Sequence, residues 1–254
     1  MGEVLHMGGA FYAQIFGAGL LAGAINAVAG GGPILTLGIL SISGIDPRIA
    51  NITSTVALCP GQLAAGYSAR AALGATKLGK PAVLLGLALA GGGLGAVLLL
   101  LTSSAAFKAI VPWLVLVATA IYAWSGTRGV AAKPRQDGLR QGLRTASLVP
   151  LAVYGGYFGG GNSFLVLALL GLAGHGARDA GTVKNALIAA INLGAVAVLA
   201  FSGLVDWRIA VALGAGGVVG SMAGVRLFAK LPVAAVRLIV ILFGLGFSAW
   251  MLVK

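Results

Sequence analysis

The polar residues of this chain are few, and they are of types that bind rather than react. Two glycine triplets interrupt apolar stretches: Gly30-Gly31-Gly32 in AVAGGGPILTL (27–37) and Gly159-Gly160-Gly161 in YFGGGNSFLVL (157–167). Consecutive glycines let a helix unwind. The helix that restarts presents free N–H groups and the positive end of its dipole, and both attract anions. The same glycines also admit a purely structural reading, the close crossing of helices. Asn162 and Ser163 follow the second triplet and can cap a helix or donate to an anion, whereas Pro33 after the first suits an initial helical position. Asn51, Thr53, Ser54 and Thr55 open one later apolar segment, and Thr182, Lys184 and Asn185 open another. These clusters read either as caps at a membrane surface or as a polar ring converging on a central anion. Lys184 is the sharpest member. A charge at the centre of a membrane helix costs ~2.5–3.5 kcal/mol on insertion scales, so a deep lysine needs a partner or a role. It either holds positive charge beside an anion or snorkels to lipid headgroups. Asn26, Gln62 and Asn192 are amides inside apolar segments, and they read as interhelical hydrogen-bonding groups or as a polar pathway.

Other chemistry is thinly provided for. Asp46, Asp179 and Asp206 are the acids outside the N-terminus and the central loop, and each falls at an expected loop. They fit local turn or salt-bridge roles, which argues against a carboxylate-based proton or Na⁺ site in the membrane. His6 and His175 have no second ligand at metal spacing. Cys59 is the single cysteine, so no internal disulfide framework or multi-cysteine metal site is expected. No Ser-His-Asp ordering, nucleophile elbow or Walker-type loop occurs. The expectation is a chain without catalytic residues, cofactor or metal.

The elements that must position these residues are membrane helices. The chain has 254 residues, 59% of them hydrophobic and 9% charged, with a mean hydropathy of +1.03. Soluble domains are about 25% charged. The runs 81–101 and 109–125 carry no ionisable side chain but Tyr122, and they approach or reach the ~20 residues of a spanning helix. The alternating segments of a β-barrel are absent. The 42 glycines fit close helix packing in lipid. Ten apolar segments are expected, at 9–29, 33–45, 52–70, 81–101, 109–125, 145–158, 162–174, 184–203, 207–225 and 235–252. The second and seventh each follow a triplet and are too short to cross the bilayer, so they read as half-helices or re-entrant arms.

The net charge of +12 reflects basic residues in the loops rather than a nucleic-acid partner. Arg48, Lys108, Arg208 and Lys254 fall on one side of this layout, and the other 13 of the 17 basic residues fall on the opposite side. The basic side is expected to be cytoplasmic, with both termini outside. No cleavable signal is expected, because MGEVLHMGG lacks a basic n-region. The basic, Gly-rich stretch 126–144 reads as a cytoplasmic linker between membrane repeats at 1–125 and 145–254. Five segments per half give the halves opposite orientation, the inverted-repeat plan of several transporters. The triplets are 129 residues apart, and one inserted residue then aligns Arg48 with Arg178, Thr55 with Asn185 and Gln62 with Asn192.

NAVAGGGPILTL followed by GIDPRIANITST, with its degenerate copy GGYFGGGNSFLVL followed by GARDAGTVKN, resembles the TauE/SafE sulfite and organosulfonate exporter family. The resemblance runs from about residue 15 to 252. The second copy departs from the first at Asn162, where the first has Pro33, and at Lys184, where it has Ser54. The resemblance implies a polytopic inner-membrane permease for sulfite or other sulfur-containing anions, and export is implied by it alone. The expected function is a secondary transporter working by alternating access. A channel-like anion pore and an accessory subunit without transport of its own are the alternatives. The expected partners are a small organic or inorganic anion and the lipid bilayer, and a homodimer is compatible with this reading.

Overall fold

A computed structural model describes residues 8–28, 31–76, 78–127, 138–227 and 233–253. Among these residues the chain is all helical, with ten α-helices and no strand. The helices are α1 (Gly9–Val28), α2 (Gly32–Ile42), α3 (Pro47–Ala69), α4 (Pro81–Leu101), α5 (Ser104–Thr127), α6 (Gly138–Tyr157), α7 (Asn162–Leu172), α8 (Ala177–Leu199), α9 (Trp207–Leu227) and α10 (Val233–Val253). A 3-10 turn, Arg70–Ala75, extends α3. Among the described residues three helical stretches are long and apolar enough to cross a membrane: Pro81–Leu101, Ser104–Ile121 and Asp179–Leu199.

Each helix falls on an expected apolar segment, but α3, α5, α6 and α8 begin five to seven residues earlier than hydropathy alone indicates. Their first turns carry polar residues and are still helical. At α3 the reason is a cap: the Asp46 carboxylate accepts from the N–H groups of Arg48 (3.0 Å) and Ile49 (3.2 Å), and Pro47 occupies the first turn. Asp206 caps α9 in the same way, accepting from Arg208 and Ile209 at 3.1 Å each. Helix α6 begins inside the stretch read as a linker, and residues 128–137 of that stretch lie outside the described residues.

Helices α2 and α7 have 11 residues each, about 16 Å of helix against a ~30 Å hydrocarbon core. The break before α7 is a true backbone turn. Gly159 and Gly161 have φ of 73° and 76°, and a Cβ on Gly160 would lie 2.6 Å from the Phe158 ring. Left-handed φ is open to glycine and costly for other residues. The break before α2 differs, because its N-cap Gly31 has φ −93°. Gly30 lies outside the described residues.

Helix α1 packs on α9, α4 on α6 and α8, α3 on α8 and α9, and α5 on α10; the short α2 sits on α1 and α3, and α7 on α6 and α8. Glycines let these backbones touch. A Cβ on Gly23 would lie 2.8 Å from the Gly217 carbonyl carbon, and one on Gly156 would lie 2.7 Å from that of Gly92. Two apolar clusters mark the two ends of the bundle. One contains Ile52 of α3, Leu99 of α4, Leu199 of α8 and Ile209 of α9, together with Phe107 and Phe158. The other contains Ala69 of α3, Leu84 of α4 and Leu187 of α8, together with Leu148 and Leu170. Helices α3 and α9 therefore run one way and α4 and α8 the other.

The first end is tied by polar contacts from α3. Arg48 donates to the carbonyls of Leu99 (3.2 Å) and Leu100 (2.5 Å) at the C-terminus of α4, where a cation also complements the helix dipole. Asn51 donates to the Tyr157 carbonyl (3.0 Å), and Thr53 accepts from the Asp206 N–H (3.1 Å). At the other end Thr76 and His175 hydrogen-bond at 3.3 Å, joining the segments that precede α4 and α8.

Candidate anion-binding cavity

Between the C-terminal halves of α1, α3 and α9 and the N-terminal parts of α7 and α8 lies a cavity of about 480 Å³. Helix direction explains why polar residues collect there. Lys184 and Asn185 come from the second and third turns of α8, and Gln62 and Ser68 come from the far half of the antiparallel α3. Asn26 comes from the last turns of α1, Ser163 from the first turn of α7 and Ser221 from α9. Leu58, Ile188, Val218 and Met222 form the apolar wall. Gly61 leaves the space open, because a Cβ there would meet nothing within 4 Å, whereas Gly23, Gly214 and Gly217 bring the backbones and side chains of α1, α3 and α9 together at its edge.

Lys184 is the one charged residue among the described residues lining this space. It stands about 10 Å along α8 from Ala177. It is half-buried, and among the described residues no hydrogen bond or ion pair engages its ammonium. No carboxylate lines the cavity among the described residues: Asp46 and Asp206 cap helices, and Asp179 is exposed in the first turn of α8. The Gln62 carbonyl oxygen is buried and has no hydrogen-bond partner among the described residues. Buried polar atoms without partners are rare in folded proteins, so an unfilled acceptor in a cavity wall marks a place where a water or a ligand's N–H or O–H fits. A cation, amide donors and hydroxyls around an acid-free space make an arrangement that can hold an anion.

The structure thus brings Asn26, Gln62, Ser163, Lys184 and Asn185 together; Gly30 lies outside the described residues, and the other expected binding residues are placed elsewhere. Gly31 sits against Val240, and Gly32 sits against Ala22 and Asn26. Gly159, Gly160 and Gly161 build the turn before α7, held by a hydrogen bond from the Tyr154 hydroxyl to the Gly160 carbonyl (2.9 Å). Thr53 holds the first end of the bundle. Ser54 is buried, and its hydroxyl has no partner among the described residues. Asn162 is 2% exposed, with both amide atoms unpartnered among the described residues and Gly155 directly beside it. Asn192 donates within α8 to the Ile188 carbonyl (3.0 Å). Ser68, Ser221 and the α9 wall were not anticipated. The available signal was the run GAGGVVGSM (214–222), whose small residues at helical spacing mark a face of α9 that meets other backbones.

With the geometry in place, comparison with known proteins decides the family. Residues 15–251 match the family described as Sulfite exporter TauE/SafE. The chain belongs to the TauE/SafE family. It is 32% identical to the probable membrane transporter protein ORF9 of Sinorhizobium sp., over 84% of this chain and 82% of that one. It is 27% identical to a probable membrane transporter protein of Haemophilus influenzae, over 94% of this chain and 93% of the relative. It is 26% identical to the probable membrane transporter protein YfcA of Escherichia coli K12, over 94% and 88%. No solved structure matches. Membership in TauE/SafE makes this a multi-pass membrane protein of a transporter family, in keeping with its apolar helices and with a role other than catalysis.

Proposed function

We propose that this chain is a secondary transporter that exports small sulfur-containing anions, such as sulfite or organosulfonates, across the bacterial inner membrane. The observation that carries the reading is the cavity that places Lys184 with Asn26, Gln62, Ser163 and Asn185 and no acid. The family description names sulfite export, and the substrate class rests on that description together with the cavity's charge. The charge distribution of the loops puts the C-terminal ends of α3 and α9 in the cytoplasm and both termini outside. The cavity then belongs to the cytoplasmic half, where an exported anion is loaded.

Two inverted repeats support alternating access. Renumbering each helix by five carries α1 on α9 into α6 on α4, α3 on α9 into α8 on α4, and α2 on α3 into α7 on α8, all of which are packed pairs. The pairs α3 with α8 and α5 with α10 map onto themselves. Such a pattern suits rocking of one half against the other. The Arg48, Asn51 and Thr53 bonds would form the closed outer seal of an inward-facing state, which favours alternating access over a continuous pore.

The test is transport by purified protein in liposomes loaded with sulfite, sulfate, isethionate, taurine or acetate. Saturable movement of a sulfur anion, lost in Lys184→Gln, is expected. No movement of any anion would overturn the reading, and flux without saturation would move it to a pore.

A further inference from the structure

Resting on that reading, we infer that Asn162 and Ser54 line a second anion station, closed in this structure, that continues the cavity toward the outer end of the bundle. The argument starts from hydrogen bonds missing among neighbours that make theirs. Asn162 is 2% exposed and Ser54 3% exposed, and neither amide atom of Asn162 nor the Ser54 hydroxyl has a partner among the described residues. Nearby polar groups are satisfied. Asn51 donates to the Tyr157 carbonyl (3.0 Å), Thr55 to the Asn51 carbonyl (2.8 Å) and Tyr154 to the Gly160 carbonyl (2.9 Å). A buried amide or hydroxyl that served only to join helices would be paired like these. Left unpaired it destabilises the fold, so its presence points to a ligand that meets it in another state.

Both residues extend walls of the cavity. Leu58 and Gly61 of α3 line it, and Ser54 falls four and seven residues before them, on the same helix face. Ser54 stands about 6 Å beyond Leu58. It is next to Thr53, whose bond to Asp206 belongs to the outer seal. Asn162 directly precedes Ser163, another lining residue, at the start of α7. The two glycine breaks also hold matching amides. A Cβ on Gly32, at the start of α2, would lie 2.7 Å from the Cβ of Asn26 on α1. A Cβ on Gly155 of α6 would lie 2.6 Å from the side-chain carbonyl carbon of Asn162. Asn26 and Gly155 are 129 residues apart, as are Pro33 and Asn162 and the glycine triplets themselves. Each break thus lodges one asparagine between the helix before it and the helix after it, and opposite partners contribute it. Asn26 reaches the open cavity. Asn162 holds the corresponding place on the closed side. The Asn162 NH2 and the Ser54 O–H can donate to an anion, and the Asn162 carbonyl oxygen can accept from a water that enters with it. Neutral donors hold an anion less tightly than a lysine does, which suits release.

Two measurements on the full chain test this. Calorimetry with sulfite and ethanesulfonate, and efflux of each from liposomes, compare wild type with the Ser54→Ala/Asn162→Ala double variant. The variant is expected to bind both anions within about threefold of wild type and to move them about tenfold more slowly or worse. A folded variant that transports like wild type, or that loses binding as fully as transport, would overturn the inference. In the second measurement, Ser54→Cys in a Cys59→Ala background meets a membrane-impermeant thiol reagent in right-side-out vesicles. Modification from the outer face, slowed several-fold by saturating ethanesulfonate, is expected. No modification from that face would overturn the inference and leave the anion cavity standing. Failure of the wild type to bind either anion would overturn the cavity reading itself, and the inference with it.

Discussion

Replacing Gly156 by alanine tests a close backbone crossing between α6 and α4. A Cβ at this position on α6 would lie 2.7 Å from the Gly92 carbonyl carbon and 2.8 Å from the Gly92 Cα. Ordinary carbon–carbon contact is about 3.5–4.0 Å, so α4 and α6 must part by about 1 Å. That gap forfeits about a quarter to a half of the dispersion energy of the atom pairs along the crossing. Overpacking of this kind costs about 1–3 kcal/mol. Gly142 on the same helix is the control, because a Cβ there meets nothing within 4 Å. Alanine at Gly142 gains about 0.8–1.0 kcal/mol of helix propensity. The two substitutions are therefore chemically identical and opposite in sign. The assay is thermal unfolding of detergent-purified protein at one scan rate, since unfolding of such proteins is often irreversible. At about 2–4 °C per kcal/mol for a chain of this length, Gly142→Ala should raise the midpoint by a few degrees and Gly156→Ala should lower it. A Gly156→Ala midpoint at or above wild type would refute the crossing. Helix α4 also carries α8, the helix of Lys184, so an error there would displace the cavity wall.

Gln62→Leu should leave thermal stability unchanged or raise it, because the amide oxygen it removes is buried without a partner among the described residues, and it should weaken anion binding several-fold by calorimetry, because it also removes the amide N–H donors from the cavity wall. Asn192→Leu should leave anion affinity unchanged in the same assay, because Asn192 bonds within its own helix and does not line the cavity. Thr53→Val strips the Asp206 N–H of its acceptor and should lower stability by about 1–3 kcal/mol, whereas Thr53→Ser should restore it, as read by thermal unfolding.

Much of the fold is legible in the sequence because lipid imposes one strong rule: apolar stretches become helices that satisfy their own backbone. Hydropathy fails where the first turn of a helix is polar. Asp46-Pro47-Arg48 looks like a loop and is a cap with its first helical turn. The run Ala177–Val183 looks like a surface segment and is already about two turns of α8. The site is legible where a residue is out of place on physical grounds. Lys184, Gln62 and Asn26 are polar groups in apolar segments, and all three reach the cavity. The glycine triplets admit an anion cradle or a close helix crossing, and the described ones pack against Val240, Asn26, Phe158 and Ala118, outside the lining of the cavity. A glycine in sequence signals that a backbone needs room or a special φ, and it does not say which. The α9 wall was invisible for a related reason: Gly214, Gly217 and Ser221 become cavity lining only through the pairing of α9 with α1 and α3, which no local pattern encodes.

The central claim is that the cavity around Lys184 is where an anion binds. The most direct measurement is the thermal shift of purified protein with sulfite and ethanesulfonate, for wild type, Lys184→Gln and Lys184→Arg. A ligand at a hundredfold excess over its Kd adds about 2.7 kcal/mol of apparent stability. The account predicts a shift in wild type, its loss in Lys184→Gln and its partial return in Lys184→Arg. A shift of equal size in wild type and in a folded Lys184→Gln would contradict it.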